Sequence, residues 1–270
     1  MNIWTSTTGL LILATTVLSC NNTQSTQDSS LSSDTLGITA LSNSIILNPL
    51  THAKEFPGAS LEIKSITSEK IGTDSAKITF QYEIKNFNLS EQTEHSHQMA
   101  NSHDGQHIHF ILDNTPYVAL YEPIHTVTLP INSEHYLLSF LSRSFHESIK
   151  TEAAHKLIKF KVDADGKIKS ESDPAEPSLF YSRPKGEYKG EEGKSILLDF
   201  YLANVKIGAE EHQISADING QVFTLDQWIP YGVLNLPIGE NVIKLSLIDK
   251  DGNAVTGSNV AVERKFTITK

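Results

Sequence analysis

The sequence predicts an all-β protein: two tandem immunoglobulin-like β-sandwiches that follow a signal segment and a flexible linker. Three observations carry this expectation. The second half of the chain repeats the first in order. Each copy is a series of short runs rich in Val, Ile, Leu, Phe and Thr, punctuated by turn residues. No long helical period interrupts them.

The repeat is visible as ordered matches. Ser60-Leu61-Glu62-Ile63-Lys64 meets Ser178-Leu179-Phe180-Tyr181-Ser182, and Phe80 to Asn86 meets Leu198 to Asn204, both at an offset of 118. Further on, Leu129-Pro130-Ile131 meets Leu236-Pro237-Ile238 and Leu138 to Leu141 meets Leu245 to Ile248, at 107, and Phe160-Lys161-Val162 meets Phe266-Thr267-Ile268 at 106.

In chain order, the apolar run Leu10 to Leu18 is too short to span a bilayer and stops at Ser19-Cys20, the position of the single cysteine. Apolar run, small residue, cysteine and polar tail resemble a bacterial lipoprotein signal. Residues 1–20 are then expected to be the signal, with Cys20 lipidated. The protein would sit in the cell envelope, held by lipid on the periplasmic or surface face of the outer membrane. An ordinary cleaved signal peptide is the alternative. Residues 21–55 open with a Ser/Thr/Asn/Gln-rich tract and suit a flexible tether. With no further cysteine, no disulfide supports the fold.

The first sandwich is expected over residues 56–165. The change of offset implies eleven extra residues between Leu89 and His107, in the stretch that holds His95, His97, Met99 and His103. Opposite the other histidines, copy two has Ile214 for His107, Ala216 for His109, Gly232 for His125 and Val242 for His135, with His146 facing Gly252 or Asn253. Residues 166–175 are charged and Pro-containing, an expected interdomain linker. The second sandwich is expected over 176–270, with Asn219-Gly220 and Asp249 to Asn253 as turns. Asp249 to Asn253 is not a calcium loop, because its glycine comes too early and no bidentate acid follows.

Nine of the eleven histidines fall between His95 and His155. In a strand, His107 and His109 project from one face, a common half of a metal site. With His135 and His146 on neighbouring strands, three or four imidazoles could converge on Zn or Cu, with His95, His97 and His103 as a collecting loop. The same residues also suit a solvated His-rich surface, or a histidine role in a polar ligand site. His52, His155 and His212 are set aside as surface. A second constellation is cationic: Arg143, Ser144 and Lys150, then Arg183 and Lys185. It suits a phosphate or carboxylate, such as an anionic peptide, if the domains pack closely, and equally suits cations spent in ion pairs. The net charge of −10 argues against a nucleic-acid partner. No nucleophile elbow, phosphate loop or zinc-protease motif is present, so binding rather than catalysis is expected.

Gln106-His107-Ile108-His109 with Asn114 and Tyr117, then Glu134-His135-Tyr136, Phe140 to Lys150 and Phe180 to Gly186, resemble a group of two-domain Bacteroidota surface lipoproteins commonly labelled phosphopeptide-binding proteins. Trp228-Ile229-Pro230-Tyr231 and Gly239 through Gly252 extend the likeness over nearly everything after the linker. The resemblance implies a surface lipoprotein with a phosphopeptide ligand. The stretch from His107 to His146 is also similar to a small uncharacterised bacterial domain, which favours His109, His135 and His146 as one group.

Overall fold

The computed structural model describes residues 44–51, 53–94 and 99–270, without the side chains of residues 170 and 171. The signal segment with Cys20, most of the expected tether, and His52, His95 and His97 lie outside the described residues. Nine strands make up the first part: β1 (Ile46–Pro49), β2 (Ser60–Ile71), β3 (Ser75–Lys85), β4 (His107–Leu112), β5 (Val118–Leu120), β6 (Ile124–Pro130), β7 (Ser133–Ser142), β8 (His155–Val162) and β9 (Ile168–Ser172). Eight follow: β10 (Ser178–Arg183), β11 (Gly186–Lys189), β12 (Ser195–Ala203), β13 (Gln213–Ile218), β14 (Gln221–Leu225), β15 (Tyr231–Leu234), β16 (Gly239–Ile248) and β17 (Ala261–Thr269).

The first sandwich packs sheet β2-β3-β6 against sheet β5-β4-β7-β8-β9, and the second packs β1-β15-β12-β10 against β11-β17-β16-β13-β14. Both are immunoglobulin-like: first, second and fifth strands of the copy form one sheet, and the third, fourth, sixth and seventh the other. β11 pairs parallel to β17, so the first strand of copy two crosses between its sheets. Two expected linkers contain strands. β1 pairs antiparallel with β15, and β9 is an edge strand on β8.

The duplication extends to irregularities. The β2/β3 pairing slips between Ile63 and Ser65, and the β10/β12 pairing slips between Tyr181 and Arg183, 118 residues on. At the third strand, and again from the fifth onward, the offset is 106: His107 pairs with Ser142 where Gln213 pairs with Ile248. Copy one therefore carries twelve extra residues (118 − 106) rather than the expected eleven. Leu129-Pro130-Ile131 and Leu236-Pro237-Ile238 match in letters but sit one residue out of register.

That one residue decides which way the histidines face, because side chains alternate across a strand. His107 corresponds to Gln213 and His109 to Ser215, on the outer face of the sheet; Ile214 and Ala216 correspond to Ile108 and Phe110, which fill the sandwich cores. In copy two the outer face is polar. In copy one the second sandwich covers it, so all of β4 but its last residue is buried, and the outer face buries His107 and His109 beside Ile111.

The cover is apolar and polar together. Ile111, Tyr117, Leu138, Phe140 and Leu157 pack with Phe180, Tyr201 and Ala203 in a cluster shared by both sandwiches, and Phe140 stacks on Tyr201 at 4.7 Å. Burying each large side chain there contributes roughly 1.5–3 kcal/mol. Asn114 acts as a strand surrogate across the boundary, donating to the Leu179 carbonyl (2.9 Å) and accepting from the Tyr181 amide (3.0 Å).

Candidate metal centre

Three of the predicted imidazoles meet. β4 supplies His107 and His109, and the hairpin after β7 supplies His146. One ligand atom from each lies within 4.8 Å of the other two. His107 Nε2 is 2.9 Å from His109 Nε2 and 3.1 Å from His146 Nδ1. His107 and His109 are fully buried, and His146 is 9% exposed.

The outer nitrogens orient the rings. His107 Nδ1 lies 2.8 Å from the Gly105 carbonyl oxygen. A carbonyl only accepts, so Nδ1 carries the proton and the neutral ring keeps a bare lone pair at Nε2. His109 Nδ1 is 3.0 Å from Ser182 Oγ, contributed by β10 of the second sandwich. Such outer partners hold metal-ligating histidines in register. One lone pair at His107 Nε2 faces two ring nitrogens and cannot accept well from both. A cation between the three rings would satisfy them all. Tetrahedral Zn–N bonds of about 2.0–2.1 Å put ligand nitrogens ~3.3 Å apart, so the close pairs would open by a few tenths of an ångström.

Burial keeps the cluster neutral. His107 is lowered to about 4, by burial first, with the Gly105 bond opposing and the charges of Arg183 and Lys185 adding. His109 falls well below its ordinary value through burial and then the neighbouring His107, His146, Arg183 and Lys185. His146 is also lowered, by burial, then Arg183, His107 and Lys185. Neutral imidazole is the ligating form.

His146 stands in the left-handed region at φ 70°, where copy two has Gly252 at φ 84°. The two hairpins are otherwise alike: Arg143 N donates to Glu147 O as Asp249 N does to Asn253 O, both at 2.9 Å. A side chain in this conformation costs about 1–2 kcal/mol relative to glycine, so copy one maintains a strained residue where its own duplicate does not.

His135 does not join the triad. Its Nδ1 is 2.6 Å from Asp113 Oδ2, and Tyr136 N donates to Asp113 Oδ1 at 2.8 Å. Copy two builds the same brace from amides: Asn219 Nδ2 donates to Asn241 Oδ1 at 2.7 Å, and Val242 N donates to Asn219 Oδ1 at 2.8 Å. His135 thus ties a turn to β7. His135→Asn is expected to cost under about 1 kcal/mol in urea unfolding and to leave metal uptake unchanged. Exposed His103 stays outside the cluster, and its carbonyl accepts from Gln92 Nε2 at 2.9 Å. His125, on β6, packs edge-on to Phe110.

The cationic set does not form one cleft. Arg143 is buried on Glu147 (3.0 Å) and donates through Nε and Nη2 to the Lys54 carbonyl. Lys150 is paired with the fully buried Asp199, which also accepts from Ser148. Ser144 exchanges hydrogen bonds with Thr93 and so anchors the inserted loop. Two buried carboxylates therefore neutralise the cations that the sequence suggested for an anion. Arg183 and Lys185 are placed differently, beside Tyr117, whose ring stacks on His109 with centroids 3.5 Å apart and planes at 8°. Lys185 Nζ sits 3.6 Å from the Tyr117 ring centre and donates to the Tyr117 carbonyl.

Tyr117 and Ser182 were present in sequence motifs, but nothing in their spacing marked them as neighbours of the triad.

No family model matches the chain, and no curated protein does. Among solved structures, the chain is similar to the fibronectin(III)-like modules of Clostridium thermocellum CbhA, at 13% identity over 77% of this chain and 94% of that one, with a TM-score of 0.26. It is also similar to the two tandem V-type regions of VCBP3, a v-region-containing chitin binding protein, at 7% identity over 78% and 99%, with a TM-score of 0.24.

Proposed function

We propose that the protein is a lipid-anchored envelope binding module whose first sandwich holds one transition-metal ion, Zn or Cu, on His107, His109 and His146. Cys20 is the proposed site of lipidation. The supporting observation is the convergence of three buried, neutral imidazoles on one point, with the outer nitrogens of His107 and His109 held by oxygen. Nitrogen donors without thiolate or carboxylate suit Zn(II) and copper. A solvated His-rich surface would not bury three rings, and phosphopeptide binding through Arg143 and Lys150 would have to displace two buried carboxylates.

The test is equilibrium dialysis of the full chain against Zn(II) or Cu(II). Wild type is expected to take up one equivalent tightly. His146→Gly is expected to abolish tight uptake while changing stability by less than about 2 kcal/mol, because relief of backbone strain offsets lost packing. Equal uptake by both proteins would overturn the proposal.

A further inference from the structure

We infer that the triad takes its metal together with a small free oxyanion of carboxylate, carbonate or phosphate type, and that Arg183 is the anion's partner. This rests on the triad's being a metal site.

Charge supplies the first argument. Three neutral imidazoles bring no negative charge to a dication, and the fixed charges that act on them, Arg183 and Lys185, are cationic. Arg183 is only 8% exposed, yet among the described residues it bonds phenols rather than a carboxylate: Nη1 donates to Tyr188 Oη at 2.9 Å, with Tyr117 as its other partner. Its buried Nε has no hydrogen-bond partner among the described residues. A buried guanidinium without a counter-anion is costly, since removing a charge from water is repaid only by an opposite charge and full hydrogen bonding. Arg143 and Lys150, a few residues from the same triad, do have buried carboxylates. The contrast marks Arg183 as the cation left for something that arrives from outside.

Geometry supplies the second. A three-histidine site has a fourth position to fill, and the Tyr117 hydroxyl lies 3.1 Å from His146 Nδ1, one of the nitrogens that face the other rings. With its ring held flat against His109 at 3.5 Å, the Tyr117 hydroxyl would serve as a hydrogen-bond partner to a group in the fourth position beside His146. Arg183 and His146 meet with Tyr188, Phe145, Leu197 and Ala100 at a crevice closed to a water-sized molecule, so an anion reaches Arg183 only if these side chains move apart. A guanidinium offers a planar fork to an oxyanion. Burial restricts the ligand to a small free anion, because a phosphate on a peptide could not follow its charge to this depth.

Co(II) is the probe, since its visible spectrum reports coordination. The full chain is titrated with Co(II) in a non-coordinating buffer, then with acetate, bicarbonate or inorganic phosphate. The expected result is a Co(II) spectrum absent in His107→Ala, shifted saturably by at least one of these anions, with anion affinity at least tenfold weaker in Arg183→Gln. Failure of Co(II) to bind overturns the metal-site proposal itself. A bound Co(II) whose spectrum ignores every anion in wild type overturns this inference alone, whether or not the Arg183 variant folds. So does an unchanged anion affinity in Arg183→Gln, or a phosphoserine peptide that shifts the spectrum at lower concentration than inorganic phosphate.

Discussion

Replacing His107 and His109 together by alanine is expected to weaken Zn(II) or Cu(II) binding by at least about a thousandfold, or about 4 kcal/mol, in competition titrations against a chelator. Both rings come from one face of β4, and each is held by an oxygen on its far side, Gly105 O for one and Ser182 Oγ for the other. The metal would thus lose two pre-oriented ligands, leaving His146 alone with neither charge nor chelation. Because Ser182 belongs to the second sandwich, Ser182→Ala is expected to weaken binding less, by roughly tenfold, the range found for outer-shell partners. If the double variant bound as tightly as wild type, the ion would have to sit elsewhere.

Acidification is expected to have an effect of similar size on the metal-free protein. In the unfolded chain each imidazole protonates as the pH falls through about 6.5. In the folded chain His107 stays neutral to about 4, and His109 and His146 are lowered further by burial. The sign follows from proton uptake. Below pH 6.5 the unfolded state binds protons that the folded state does not, so this contribution is fully present above pH 6.5 and is lost as the pH falls toward 4. Three such groups give a slope of roughly 4 kcal/mol per pH unit below pH 6, and on the order of 5 kcal/mol lost between pH 7 and pH 5. Urea unfolding at pH 7, 6 and 5 measures it. The double alanine variant removes two of the three groups and is expected to show about a third of the triad's contribution to the slope. Equal slopes in the two proteins would mean that the rings already exchange protons with solvent.

Much of this architecture was legible from residues. The ordered matches of Ser60 to Lys64 with Ser178 to Ser182 gave the duplication, and the structure repeats even the bulge at that point. What sequence could not supply was register across the inserted loop. Leu129-Pro130-Ile131 and Leu236-Pro237-Ile238 match by identity, yet hydrogen bonding places the strands one residue away from that match, which reverses the faces. β1 was missed because its partner β15 lies far along the chain, and a four-residue edge strand has no periodicity of its own. His107 and His109 were legible as a pair from their spacing. His146 joined them through hairpin geometry, and His135 left the group because Asp113, not another ring, was within reach. The fates of Arg143 and Lys150 were set by Glu147 and Asp199, buried counter-charges that only the packed structure brings into contact.

A crystal of the full chain grown with Zn(II), with anomalous difference density recorded at the zinc edge, tests the metal centre most directly. The expected result is one peak bonded to Nε2 of His107, Nε2 of His109 and Nδ1 of His146 at about 2.0–2.1 Å. An empty triad still closed on its own hydrogen bonds, with zinc only at solvent-facing histidines such as His103, would contradict it.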